Sequence, residues 1–113
     1  MDMENRSSRI AGFYNMKLEE RLKIVKEWAQ LSENEVATLL NFGNLDQKLA
    51  ESMIENVIGA MSYPFAIAVN FKINGKDYLI PMVLEEPSVV AAASNAAKML
   101  REGDGIKAEA AKQ

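Results

Sequence analysis

The stretch FAIAVNFKINGKDYLIPM, residues 65–82, decides how this chain folds. Phe65, Ile67, Val69, Phe71 and Ile73 alternate with Ala66, Ala68, Asn70 and Lys72, the period-two pattern of a strand with one apolar face. Asn74-Gly75 interrupts the alternation and suits a two-residue type I′ turn, which needs positive φ at both positions. With that loop Ile73 faces Lys76, Lys72 faces Asp77 and Phe71 faces Tyr78; further along, Val69 meets Ile80 and Ile67 meets Met82. Lys72 and Asp77 become an opposite-charge cross-strand pair, so the register is self-consistent. Pro81 has no amide to donate and is expected at a non-bonded or edge position.

Upstream of the hairpin the period changes from two to between three and four. Leu18, Leu22, Val25, Trp28 and Ala29 repeat at helical spacing, so a helix is expected from Leu18 to Leu31, with Trp28 a core or dimer anchor. Ser32-Glu33-Asn34-Glu35 has the form of a capping box and opens a second helix, for which Gly43 suits a left-handed stop. Asp46 caps a third helix ending near Met53 or Ile54. Before all of these, Ile10, Phe13 and Tyr14 follow a polar start and read as an apolar anchor. Met53, Met61, Met82 and Met99 read as core filler.

Downstream, Glu85-Glu86-Pro87-Ser88 ends the second strand and leads into another helix, with Pro87 in its first turn and Val89, Val90, Ala93, Ala96, Ala97 and Leu100 along its buried stripe. So many alanines imply close approach to a neighbour, and Gly103 is a natural stop. Asp104 to Gln113 reads as an unfinished strand, a linker or a frayed tail. The fold expected is α+β: amino-terminal helices, an antiparallel β-hairpin and a following packed helix.

The strand-to-helix junction is where chemistry is expected. Helix starts gather backbone amides, and sheet ends expose side chains to ligands. Two adjacent carboxylates repel, and burial would favour the protonated form of one, making a proton donor. The positive end of the helix works the other way and favours the ionised form. Acidic residues that merely complement a helix start would give the same pattern. Glu55-Asn56-Val57-Ile58-Gly59 reads either as a helix end broken at Gly59 or as a functional segment, and Asn70 either as a ligand-facing residue or as a partner for backbone.

Composition removes several other chemistries. The 113 residues include no cysteine and no histidine, which excludes thiol nucleophiles, disulfides, Ser-His-Asp catalysis and the commonest zinc sites. The mild net charge of −3 gives no basic footprint for nucleic acid and no cationic face for a membrane. Glu19, Glu20, Arg21, Lys23 and Lys26 break any apolar leader or span in the first thirty residues. A cysteine-free chain fits a reducing cytoplasm.

The run from Glu55 to Met99, ENVIGAMSYPFAIAVNFKINGKDYLIPMVLEEPSVVAAASNAAKM, resembles class II 3-hydroxy-3-methylglutaryl-coenzyme A reductases. Those enzymes carry an ENVIG element, an NG hairpin followed by a proline-containing strand, and an EEPSxVAAAS run. Ser8 to Tyr14 is similar to the family's SRxPGFY opening, with Ala11 at the usual proline, and Glu19 to Leu22 to its ERL helix. Leu100 to Gly105 departs from the more usual ARxxGG.

The resemblance implies a dimeric, cytoplasmic oxidoreductase that interconverts 3-hydroxy-3-methylglutaryl-CoA and mevalonate with two hydrides from NADH or NADPH, coenzyme A being part of the substrate. It implies that Glu86 is the acidic catalytic residue, that Ser88 binds the hydroxymethylglutaryl group, and that Glu55, Asn56 and Gly59 lie near a subunit interface. Metal is not implied. Residues 1–15 would be an arm, 16–102 the amino-terminal part of the substrate-binding large domain, and 103–113 a linker or the start of a missing small cofactor domain. The nicotinamide site, a catalytic lysine, a second acid and a histidine would come later, so this chain alone is expected to be inactive and to expose an apolar face to a second copy or to the remaining reductase. A truncated, non-catalytic homologue acting as a dimerising or binding module is the alternative, and an unrelated interaction domain the third reading.

Overall fold

The computed structural model describes residues 6–41, 45–56 and 61–112. Its elements are a 3-10 turn at Phe13–Asn15, helices α1 (Leu18–Ala29), α2 (Glu33–Leu40) and α3 (Gln47–Met53), strands β1 (Phe65–Ile73) and β2 (Lys76–Val83), and helix α4 (Val89–Arg101). The order is the α+β arrangement read from the sequence. Two compact units divide the chain: Met1–Met16 with Pro64–Gln113, and Lys17–Tyr63.

Lys17–Tyr63 is built from local signals. At the start of α1 the Glu20 carboxylate accepts from the Lys17 amide at 2.9 Å. The helix ends earlier than its apolar pattern, at Ala29, because Gln30 turns left-handed (φ 55°) and the Leu31 amide closes back on the Lys26 carbonyl at 2.9 Å. Ser32 and Glu35 then form the expected capping box: the Glu35 amide donates to Ser32 Oγ at 3.2 Å, and the Ser32 amide to Glu35 at 2.7 Å. Lys26 pairs with Glu33 across the corner between the helices. Asp46 caps α3 by accepting from the Leu49 amide at 3.2 Å. Gly43 and Gly59, the expected breaks, lie outside the described residues.

The other unit is organised by the hairpin. Asn74 and Gly75 both take positive φ, 50° and 80°, as a type I′ turn requires. Near the turn the pairs are Ile73 with Lys76, Lys72 with Asp77 and Phe71 with Tyr78, as the sequence predicts. Beyond Phe71 the register slips by one: Ala68 pairs with Ile80, Ile67 with Pro81 and Ala66 with Met82, so the expected Val69–Ile80 and Ile67–Met82 pairs are replaced. The cause is a β-bulge in which Val69 and Asn70 oppose Leu79, with Asn70 left-handed at φ 71°. Lys72 and Asp77 are opposite one another but engage other charges, Asp104 and Arg101 respectively.

Helix α4 packs on β1, where Ala68 and Ala97 are among the few fully buried side chains. Small residues at this contact allow the close approach expected. The buried stripe is rotated from the expected one: Ala96 and Leu100 are exposed, and Val90, Ser94, Ala97 and Arg101 face the strand side. Gly103 is not the left-handed stop. The Gly105 amide reaches the Leu100 carbonyl (2.8 Å) and the Asp104 amide that of Arg101 (3.2 Å), closing a Schellman motif whose left-handed residue is Asp104, φ 75°. The following segment lies along β1, with Ile106 bridged in parallel to Ile73 and Asn74 clasping Ala108 through two hydrogen bonds of 2.9 and 3.0 Å. A Cβ on Gly105 would sit 2.5 Å from the Lys72 carbonyl oxygen, so only glycine lets the tail pass there.

Of the expected apolar anchor, Ile10 and Phe13 are half-buried and Tyr14 is not, and the tightest contact is polar. Tyr14 is 81% exposed, whereas Ser8 has no exposed surface. Met53, Met61 and Met99 are likewise exposed and fill no core in this chain.

Candidate active site

Glu85 to Ser88 forms the hinge between β2 and α4. Pro87 precedes the helix and does not occupy its first turn; Ser88 is the N-cap, left-handed at φ 71° and ψ −11°. A serine in this region is strained, at a cost of about 1–2 kcal/mol. Its hydroxyl makes no capping bond, although its carbonyl accepts the first helical bond, from the Ala92 amide at 2.8 Å. By helix geometry the amides of Val89, Val90 and Ala91 lack intrahelical acceptors, so this end of a 13-residue helix presents donors and a partial positive charge.

Glu85 and Glu86 are both exposed. The Glu86 carboxylate is open to solvent. A shallow groove lies at the hairpin turn, between Asn74, Asp104, Ile106 and Lys107. Glu55 and Asn56 are exposed bends after α3, Asn56 with φ 60°, and Gly59 lies outside the described residues.

At the opposite end of α4 polar groups are saturated. Arg101 grips Asp77 in a two-pronged pair, Nη1 to Oδ1 at 3.1 Å and Nη2 to Oδ2 at 3.2 Å, with only 18% and 16% of the two side chains exposed. Nη1 also donates to the Asn70 carbonyl at 3.2 Å. The Ser8 amide donates to Asp77 at 2.9 Å, and Ser8 Oγ donates to the Phe71 carbonyl at 3.0 Å. Burial alone would push the Asp77 carboxyl up; the Ser8 amide and the Arg101 guanidinium outweigh it and hold it below its usual value. Sequence reasoning missed this cluster. The available signal was the spacing of Val90, Ser94, Ala97 and Arg101, which puts a guanidinium on the same face as the buried alanine.

Residues 17–113 match the family profile described as hydroxymethylglutaryl-coenzyme A reductase. The chain belongs to that family.

The 3-hydroxy-3-methylglutaryl-coenzyme A reductase of Archaeoglobus fulgidus is 61% identical over 100 residues, which cover 88% of this chain and 23% of that protein. A probable reductase of the same name from Borreliella burgdorferi is 36% identical over 107 residues, 92% of this chain and 24% of that one. Among solved structures, the class II enzyme from Streptococcus pneumoniae, bound to NADPH in open conformations, matches with a TM-score of 0.77 at 37% identity, over 88% of this chain and 27% of that one. The class II resemblance carried by the Glu55–Met99 run therefore extends to the fold. This reductase-family chain spans about a quarter of the length of the relatives it matches. Among its described residues no helix is long and apolar enough to cross a membrane.

Proposed function

We propose that this chain supplies the substrate-facing acid of a hydroxymethylglutaryl-CoA reductase, which interconverts 3-hydroxy-3-methylglutaryl-CoA and mevalonate with two nicotinamide hydrides. The observation that carries the reading is the Glu85–Ser88 hinge: an exposed carboxyl and, two residues on, a strained, uncapped serine at the amino-terminal end of α4. Strain at a non-glycine residue persists where the surroundings enforce it, and such residues cluster at functional sites.

In this mechanism Glu86 delivers a proton to the carbonyl oxygen as hydride reaches the carbonyl carbon, since an unprotonated alkoxide is a poor product near neutral pH. Ser88 Oγ, released from capping, hydrogen-bonds the hydroxymethylglutaryl group. The nicotinamide cofactor is assigned no site on this chain: adjacent carboxylates suit a carbonyl or hydroxyl and would repel a pyrophosphate. Residues 16–102 are assigned to the substrate-binding domain, the segment from 103 onward to the link with the cofactor domain, and Glu55, Asn56 and Gly59 to subunit assembly.

Exposed apolar side chains support a covering partner, either a second copy or further reductase polypeptide. Phe65 and Val83 face each other at the open end of the hairpin, 54% and 62% exposed, and Leu49, Met53 and Ile54 are bare on the other unit. The cysteine-free composition agrees with a cytoplasmic site of action.

The test is Glu86→Gln in the catalytically competent protein that carries this chain. Turnover should fall roughly a hundred- to ten-thousandfold, with the unfolding midpoint unchanged because the side chain is exposed. Wild-type turnover in the variant removes Glu86 from the mechanism and favours a non-catalytic binding module.

A further inference from the structure

No side chain caps α4 at the Glu86–Ser88 hinge, whereas the middle of the helix is tied to β1 by side-chain hydrogen bonds. Ser94 lies six residues beyond Ser88, about 9 Å along the axis, and it is bonded twice to the bulge in β1. The Val69 amide donates to Ser94 Oγ at 3.0 Å, and Asn70 Nδ2 donates to the Ser94 carbonyl at 3.1 Å. One bond reaches the side chain and the other the main chain, so together they fix both the sliding and the rotation of α4 on the strand.

Asn70 itself is bonded through its main-chain amide, its carbonyl and its Nδ2. Its amide donates to the Ser8 carbonyl at 3.1 Å, and its own carbonyl accepts from Arg101 at 3.2 Å. Its φ of 71° demands a residue that tolerates the left-handed region, and its Nδ2 must be a donor. Glycine meets the first demand and not the second. Aspartate tolerates the conformation but would set an acceptor against a carbonyl oxygen. Asparagine meets both.

We propose that Asn70 is a positioning residue for the Glu86–Ser88 hinge, acting through Ser94 on helix α4. The assignment rests on the reductase reading of that hinge. It differs from a purely structural role, because the Ser94 bond can be removed while the bulge backbone and its bonds to Ser8 and Arg101 stay in place.

Asn70→Gly in the catalytically competent protein does this. The expected result is a kcat lowered roughly ten- to hundredfold, the range for a misplacement near 1 Å, with KM for the nicotinamide unchanged. Asn70→Asp should show the same loss, and Ser94→Ala, which removes only the hydroxyl, a smaller loss in the same direction and a fallback if the bulge variants do not fold. A kcat within about twofold of wild type in the folded variants overturns the assignment. Glu86→Gln is run beside them. If that variant also turns over normally, the reductase reading of the hinge has failed, and Asn70 is then judged by amide chemical shifts of Ser88 and Val89 in Asn70→Gly. Displaced signals sustain the positioning role; unmoved signals overturn it.

Discussion

The two ends of helix α4 are opposites. At its carboxy-terminal end Arg101, Asp77, Asn70 and Ser8 satisfy one another, and a Schellman turn closes the chain back toward β1. At its amino-terminal end Ser88 is strained and uncapped, and Glu86 is solvated. A short helix packed on a two-stranded sheet buries little: among the described residues of that unit the buried apolar side chains are two alanines and a valine, Ala68, Ala97 and Val69. With so modest a hydrophobic term, polar saturation at one end contributes much of what holds the helix, while the other end leaves donors and a carboxyl open to solvent.

The largest test of that contrast is to cut the saturated end. Arg101→Leu keeps much of the side-chain bulk but leaves the Asp77 carboxylate largely buried without its guanidinium, and the Asn70 carbonyl without that donor. Removing one partner of this part-buried, two-pronged pair costs about 2 kcal/mol, a large share of a small domain's stability. Urea unfolding followed by circular dichroism should report it. A loss below about 1 kcal/mol, the range of a surface pair, would mean that the closed end does not anchor the helix.

How much of this was readable beforehand follows from sequence distance. Asn74-Gly75, the Ser32–Glu35 box and the Asp46 cap act within four residues, and all formed as read. The pairs nearest the turn were also legible, because the turn fixes them. The slip beyond Phe71 was not: Asn70 fits the alternating pattern equally well with or without an extra residue, and only its tolerance of positive φ hinted at a bulge. The Arg101 cluster joins residues 24 and 93 positions apart: helical spacing could put Arg101 on the buried face, but it names no partner at that distance. At the amino-terminal anchor Ile10 and Phe13 are half-buried, but the polar half was not read: a serine amide and hydroxyl meet a carboxylate and a carbonyl. Asp104, by contrast, explains a noted departure: it occupies the left-handed position where the resembling motif has glycine, and its carboxylate accepts from Lys72 at 3.1 Å. The hinge residues themselves were legible only through resemblance, since acidic residues at a helix start have an ordinary explanation.

Acid should loosen the same closed end by a smaller step. The folded-state pKa of Asp77 lies below its unfolded value of about 4, so the folded protein binds fewer protons than the unfolded chain around that pH. Its contribution is complete above the unfolded value and is lost as pH falls through the folded one. Stability should therefore be level near neutrality and decline below about pH 4. Asp77→Asn should start from a lower plateau and decline less steeply. Equal slopes in the two proteins would mean that other carboxyls, such as the lowered Glu35 and Asp104, carry the acid limb.

The smallest effect should come from the open end, and its sign is the informative part. Ser88 holds φ 71° without any capping bond in return, so Ser88→Gly removes strain and deletes no internal hydrogen bond of its side chain. Glycine reaches that conformation freely, though it adds entropy to the unfolded chain, so the net gain should be only about 0.5 kcal/mol. In the competent enzyme the same change removes the hydroxyl proposed to hold the hydroxymethylglutaryl group, and KM for that substrate should rise roughly tenfold, the worth of one hydrogen bond. A protein made slightly more stable and a worse binder by one substitution is the signature of strain kept for a ligand. If Ser88→Gly instead destabilises the fold and leaves KM alone, the hinge is structural and the contrast between the two ends of α4 loses its functional meaning.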